Sequence, residues 1–409
     1  MNIGVWEPTV PYQNRFRHQD YDGHPPTVDV AWLDAVAPPP VDSESWRTRM
    51  AAAGDDMRSA SVAAIYLVHG TFVGVDILGF NRFVELLSSS AASALRVQEK
   101  RLADRIVRDS GNYTPEVVDV LQRGLHSIPT RLFFWSSENH HLGRADGAIG
   151  LIDELATQSW PDAARVLLWG HSHGGNVLAL ATNLLAADTA ARAEFFAATR
   201  PYRLSRLVPR DIRERWERVR ELLEQADSPV RRLALDIVTF GTPIRYGWDT
   251  GGYSRLLHVI YHRPTPRLPA YVTRFPFSLR SALRAKRGDY VQQVGIAGTN
   301  FAPPVLASPI QRTDRRLHRL LQSDHPLGAN GGWWPCSAWR WLEAGRRVPD
   351  EGETLLIDYH RAAPRYHHGA RGHAIYTRAN WLLYHVELLS GRWYRPADSM
   401  DASMKTAAG

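Results

Sequence analysis

Short apolar runs alternate with longer amphipathic segments along most of this chain. The runs are almost continuous in hydrophobic residues, which is typical of strands that are covered on both faces. Strands that alternate with helices favour a mostly parallel sheet with helices on both faces, so the pattern predicts an α/β fold. The predicted strands are 61–68, 131–135, 165–169, 233–240, 256–261, 290–297 and 354–359. The predicted helices are 80–108, 145–157, 175–187 and 378–389.

Three parts of the chain depart from this alternation. Residues 1–60 have little periodicity and contain three consecutive prolines at 38–40, so we expect a partly irregular N-terminal arm before a domain at 61–395. Residues 396–409 are small and polar and predict a flexible tail. Within the domain, an amphipathic stretch at 204–226 and a basic, aromatic stretch at 268–287 predict helical cap or lid insertions, at about 188–230 and 263–288.

Composition excludes several classes of function. The chain has 409 residues, a formal net charge of +7 and a single cysteine, Cys336, which excludes an intrachain disulfide and a multi-cysteine metal site. The positive charge comes without a zinc finger, an RNA-recognition signature or a long basic tail, so nucleic acid is not an expected partner. No apolar stretch reaches the ~18 residues of a membrane span, and the first residues lack a signal-peptide core. The expectation is a cytoplasmic protein or one bound peripherally to a membrane.

The pentapeptide Gly170-His171-Ser172-His173-Gly174 carries the clearest chemical signal. It follows the apolar run 165–169 and precedes a helical pattern, which is the strand, sharp turn and helix context of the G-x-S-x-G nucleophile elbow. Such a turn holds the serine in a strained conformation and exposes its hydroxyl at the end of the sheet. Ser172 is therefore the predicted nucleophile.

An oxyanion hole needs backbone N–H groups aimed at the charge that develops on the substrate. His173, directly after the serine, supplies one by position. The second is expected from the turn His69-Gly70-Thr71-Phe72, which follows the strand ending at Val68, with Thr71 or Phe72 as the donor.

The base that activates the serine should be a histidine in the loop after the last strand. That loop carries His360, His367, His368 and His373. His373 is favoured because it lies beside Gly372 and just before the final helix, with His367 and His368 as alternatives.

Several of these segments together resemble the lipase-like α/β-hydrolases. They are LVHGTF at the first strand, LLWGHSHGGNVLAL around the serine, FFWSSENHH followed by Arg144, and TFGTP at 239–243. The resemblance covers about 61–389 and implies an α/β-hydrolase fold that cleaves a carboxylic ester through an acyl-enzyme on Ser172. It implies no cofactor and a small-molecule or lipid ester as substrate. The residues expected to line the substrate pocket are His69, Gly70, His171, Glu138 and Asn139.

The acid of the triad is where this sequence departs from the family pattern. The expected position, after the strand at 290–297, carries Asn300 in place of an aspartate. Asparagine can orient a histidine but cannot stabilise the imidazolium by charge. Asp249, in the loop after the strand 233–240, is the favoured alternative, and Asp324 and Asp314 also stay open.

Other functions are compatible with the same residues. Five histidines fall at predicted strand ends, but His171 and His173 flank a serine in a tight turn and point to different sides, so no metal site is predicted. Asn300 favours a hydrolase-like binding protein that has lost turnover. An acyltransferase or a thioesterase would use the same elbow. The amphipathic and basic segments leave open a peripheral contact with a membrane.

Overall fold

The computed structural model describes residues 16, 29–71, 113–126, 128–274, 285–293, 308–321, 347–349, 351–360, 362 and 369–396. Within this part of the chain, seven strands form one sheet in which every pair is parallel. The strands are β1 (Val30–Asp34), β2 (Val62–Val68), β3 (Thr130–Phe133), β4 (Arg165–His171), β5 (Ala234–Phe240), β6 (Arg255–Tyr261) and β7 (Glu353–Asp358). Their order across the sheet is β1-β7-β6-β5-β4-β2-β3.

Eight α-helices in the described residues accompany this sheet, in addition to the short helical stretch 290–293. They are α1 (Glu44–Ser59), α2 (Pro115–Gly124), α3 (His141–Thr157), α4 (His173–Ala186), α5 (Thr189–Arg203), α6 (Arg210–Glu224), α7 (Ser308–Leu321) and α8 (Ala379–Leu389). The helices divide between the two faces. Tyr66 and Leu168 belong to the core shared with α3 to α7, whereas their neighbours Leu67 and Trp169 belong to the core shared with α1, α2 and α8. Because successive side chains of a strand point to opposite faces, both faces of the sheet are covered, which explains the continuous apolar runs.

The parallel α/β architecture predicted from the sequence is confirmed, and six of the seven predicted strands match β2 to β7 to within a few residues. One predicted strand is wrong. The described part of 290–297, residues 290–293, is helical, and the rest lies outside the described residues. The predicted helix 80–108 also lies outside them, as do 275–284 of the basic insertion and 397–409 of the tail.

The N-terminal arm is the second correction. Residues 30–34 form β1, which pairs with β7, and α1 packs its buried face, including Trp46 and Met50, onto the same core as β2. Ser43 caps α1 by accepting a hydrogen bond from the Trp46 N–H. Residues 30–59 are therefore an integral part of the domain.

The predicted cap around 188–230 consists of two helices that pack on the domain core. Trp216 of α6 is fully buried and donates a hydrogen bond from Nε1 to Asp146 of α3, 2.7 Å away. Arg215 pairs with the carboxylate of Asp146. Arg218 pairs with Asp153, about two turns further along α3. These contacts fix α6 against α3. No helix of the described residues has the length and apolar character needed to cross a bilayer.

Candidate active site

Four neighbouring strands bring the candidate residues to one edge of the sheet. Strands β6, β5, β4 and β2 are neighbours in the sheet and run parallel, so their carboxyl ends lie at the same edge. Parallel α/β sheets bind their ligands at this edge. Ser172 follows β4, the turn His69-Gly70-Thr71 follows β2, and Gly241 follows β5. The edge therefore collects the predicted nucleophile and the predicted oxyanion turn.

Ser172 occupies a strained turn between β4 and α4. Its φ of 53° and ψ of −133° lie outside the regions that L-residues usually adopt, and its backbone N–H donates to Phe240 O at 2.9 Å. The hydroxyl of Thr242 donates to the carbonyl oxygen of Ser172 at 2.8 Å. These bonds hold the strained conformation on both sides, as a nucleophile elbow requires.

The glycines around the serine are required by close packing. A Cβ on Gly174 would lie 2.3 Å from Val68 O, and one on Gly175 would lie 2.2 Å from Thr242 Oγ1. A Cβ on Gly70 would lie 2.6 Å from the Cβ of Ser172, so the turn after β2 contacts the serine directly. This contact is the one expected of an oxyanion loop.

The oxyanion side of the serine is built from backbone. His173 is the first residue of α4, whose N-terminal N–H groups carry the positive end of the helix dipole. On the other side, Gly70 O accepts hydrogen bonds from the hydroxyl of Ser137, at 3.0 Å, and from Nδ1 of His69. Trp135 Nε1 donates to His69 O at 2.8 Å, which fixes the turn further. Thr71 is buried at this turn, and Phe72 lies outside the described residues.

His373 lies against the residue that precedes the serine. Its ring centroid is 4.5 Å from that of His171, and His171 Nε2 donates to His373 O at 3.3 Å. Among the described residues, the buried Nε2 of His373 has no hydrogen-bond partner, so the Ser172 hydroxyl is not bonded to it here. Hydrogen bonds of this kind often form only when substrate binds. His367 and His368 lie outside the described residues.

Asp289, and not the Asp249 favoured from the sequence, is the carboxylate that the structure places beside His373. Nδ1 of His373 is 2.7 Å from Oδ2 of Asp289, whose side chain is completely buried. The other oxygen, Oδ1, accepts from the backbone N–H of Gln292 at 3.0 Å. With both oxygens engaged, the carboxylate fixes the orientation of the imidazole ring and leaves Nε2 directed away from it.

The acids predicted from the sequence have other partners or lie outside the described residues. Asp249 caps the short 3₁₀ turn Thr250–Gly252 by accepting from Gly251 N, 3.0 Å away. Asp314 accepts from the backbone N–H of Leu142 at 3.0 Å, at the start of α3. Asn300 and Asp324 lie outside the described residues.

Asp289 reaches this position through a long excursion of the chain after β6. The loop leaves at His262 and returns in an antiparallel bridge between His262 and Gly288, and the N–H of Asp289 then donates to Tyr261 O at 2.9 Å. Gly288 has a φ of +99°, and a Cβ there would lie 2.2 Å from Tyr261 O. Asp289 thus lies at the end of β6, although it is 28 residues further along the chain than Tyr261.

Two histidines beside the serine are held neutral. Burial lowers the pKa of His171 well below its ordinary value, and the nearby His373 lowers it further. Burial also lowers the pKa of His173, and the charges of Arg144 and Arg245 add to this effect. Both rings therefore act as neutral polar groups at physiological pH.

Glu138 and Asn139 lie where α3 begins. Oε2 of Glu138 accepts from the hydroxyl of Ser136 at 2.8 Å, and Oδ1 of Asn139 accepts from the buried guanidinium of Arg144 at 3.1 Å. Arg144 Nε also donates to the hydroxyl of Tyr246 at 2.8 Å. These residues form a buried polar network on the His173 side of the elbow.

In the part of the chain that the structure covers, no group of three or more His, Cys, Asp or Glu side chains is arranged to hold a metal ion. Comparison of the chain with protein-family models, with curated proteins and with solved structures gave no match.

Gly241 offers a test of the histidine and aspartate geometry. Its φ is +57°, and a Cβ there would lie 2.5 Å from both Asp289 Oδ2 and Tyr376 Cε2. Gly241→Ala should therefore displace the carboxylate and lower kcat/KM for ester hydrolysis by about 10²-fold, the cost of misplacing a catalytic group by roughly 1 Å. The measurement is steady-state kinetics of both folded proteins.

Gly391→Ala is the matched control, because a Cβ there would meet no atom within 4 Å. Its activity should equal that of the wild type. A folded Gly241→Ala protein with unchanged kcat/KM would contradict the packing of this site.

Proposed function

We propose that this protein is a serine hydrolase that cleaves a carboxylic ester through an acyl-enzyme on Ser172. The observation that carries the proposal is the buried pair of His373 and Asp289, 2.7 Å apart, packed against the residue that precedes a serine with a φ of 53°. A parallel sheet with this turn after β4 is compatible with the α/β-hydrolase fold that the sequence resembles.

The arrangement suits acyl transfer step by step. Nε2 of His373 takes the proton of the Ser172 hydroxyl as Oγ attacks the ester carbonyl carbon, and the carbonyl oxygen becomes an oxyanion. The N–H groups of His173 and of the turn after Gly70 face this oxyanion and stabilise it. When the carbon–oxygen bond to the alcohol breaks, His373 returns the proton to the leaving alkoxide.

The second half of the cycle uses the same groups. Water loses a proton to His373 and attacks the acyl carbon, and Ser172 Oγ then recovers the proton as the acid product leaves. Throughout, the Asp289 carboxylate stabilises the imidazolium and keeps Nδ1 protonated, so that Nε2 is free to accept.

The principal alternative is a hydrolase-like binding protein without turnover, which Asn300 favours. Asp289 argues against this alternative, because it supplies the buried carboxylate that such a protein is expected to lack. Acyltransferases and thioesterases share the acyl-enzyme and differ only in the acceptor or the leaving group. An assay with different acceptors therefore decides between hydrolysis and acyl transfer.

A series of p-nitrophenyl esters from acetyl to dodecanoyl tests the reaction class. We expect release of p-nitrophenol from at least one ester, because the site presents a serine nucleophile and backbone N–H donors for a carbonyl oxyanion. Adding an alcohol or a thiol acceptor separates hydrolysis from transfer through the product formed. No turnover of any ester or thioester would contradict the proposal.

A further inference from the structure

The connection between α5 and α6, residues 204–209, presents two leucines to solvent. The side chains of Leu204 and Leu207 are 60% and 53% exposed, whereas the neighbouring Val208 is buried. Exposed large apolar side chains that occur close together are a common feature of interaction surfaces. The buried side chain of Val208 packs against the protein and holds this connection in place, while the two leucines remain exposed.

Arginines surround the two leucines. Five arginines and one aspartate give residues 200–213 a formal charge of +4. Arg200, Arg206 and Arg210 are exposed, and within the described residues neither Arg200 nor Arg206 has a carboxylate partner. A groove of about 820 Å³ runs beside Leu204, and six arginines and three glutamates line it, so its lining carries a net positive charge. Exposed apolar side chains inside a positive rim are complementary to an anionic bilayer surface.

This surface, residues 200–213, lies at the same end of the sheet as Ser172. Helix α3 starts just beyond the carboxyl end of β3. Asp146, near the start of α3, contacts Arg215 of α6, and Asp153, further along α3, contacts Arg218, further along α6. The two helices therefore run in the same general direction, and the N-terminal end of α6 lies toward the carboxyl edge of the sheet. Docking through this surface would turn that edge toward the membrane.

We propose that residues 200–213 bind the protein to an anionic phospholipid surface, with Leu204 and Leu207 inserted among the lipids and the arginines on phosphate groups. The phosphates of the headgroups bind to the exposed Arg200 and Arg206, since guanidinium groups bind phosphate through paired N–H donors. The acyl region accepts the leucines, and Pro209 and Val208 hold them at the surface. The binding does not depend on the ester hydrolysis proposed above.

Flotation with vesicles of phosphatidylcholine alone, or of phosphatidylcholine with phosphatidylglycerol, tests this surface on the full chain. The wild type should float with the anionic vesicles and not with the neutral ones, and its binding should weaken as salt rises. The double variant Leu204→Ser/Leu207→Ser should bind about tenfold more weakly at unchanged charge. Arg200→Gln and Arg206→Gln should each weaken binding about fivefold.

Val36→Ser and Arg47→Gln are the matched controls, since Val36 is 73% exposed and Arg47 is an exposed residue of α1, and both should bind like the wild type. Circular dichroism confirms that each variant is folded. Absence of binding to anionic vesicles would overturn the proposal in favour of an acidic protein partner. Equal binding by the wild type and the double leucine variant would overturn it too, because insertion is part of the claim.

Discussion

Asp289→Asn is expected to lower kcat/KM for ester hydrolysis by about 10⁴-fold while leaving the protein folded. Asp289 Oδ2 receives the Nδ1–H of His373 at 2.7 Å. An asparagine that turned its amide N–H toward Nδ1 would favour the ring tautomer with the proton on Nε2, which cannot accept a proton from the serine. The measurement is kcat/KM with the best p-nitrophenyl ester.

Asp249→Asn is the matched control for this variant. An asparagine retains a side-chain oxygen for the Gly251 N–H that Asp249 bonds, and asparagine is as good a capping residue as aspartate. Its kcat/KM should stay within a few-fold of the wild type. A large loss in Asp249→Asn and a small one in Asp289→Asn would reverse the assignment of the acid.

Ser172→Ala should have the largest effect on turnover, a loss in kcat of about 10⁶-fold. His373→Ala should cost about as much, and the double variant should lose little more than either one alone, because the two side chains act as a unit. The measurement is kcat for the three proteins, with Ser45→Ala, an exposed serine on α1, as the control. Additive losses in the double variant would mean that the serine and the histidine work independently.

The elbow could be predicted because its determinants are local. Close packing between one strand, one turn and one helix requires glycine at positions 170, 174 and 175. All three glycines are visible in the sequence. The turn after β2 was accessible for the same reason, since it follows directly on an apolar run. His373 followed from the last strand, although its contact with His171 did not.

The carboxylate that contacts His373 cannot be predicted from local pattern. Asp289 directly precedes the segment 290–297, which the pattern predicts to be a strand, and it reaches the end of β6 only because residues 262 and 288 pair across a long excursion. The available signal was the dipeptide Gly288-Asp289, which the structure explains by the close approach of Gly288 to Tyr261 O. Such long-range pairing leaves little trace in periodicity.

One proline and one short strand account for the remaining errors. The amphipathic stretch 204–226 becomes helical only at Arg210, directly after Pro209, and residues 204–209 connect α6 to α5. Strand β1 is an edge strand with only five residues, of which three are exposed, and it follows no apolar pattern that marks a buried strand. Its pairing with β7 is visible only in the folded sheet.

Labelling with a fluorophosphonate, followed by peptide mass spectrometry, tests the central claim most directly. The probe phosphonylates a serine only when a neighbouring base activates the hydroxyl, so the label reports the serine and the histidine together. We expect one adduct on the wild type, located at Ser172, no adduct on Ser172→Ala, and much slower labelling of Asp289→Asn. A wild-type protein that takes up no probe, or a Ser172→Ala protein that is labelled equally, would contradict the account.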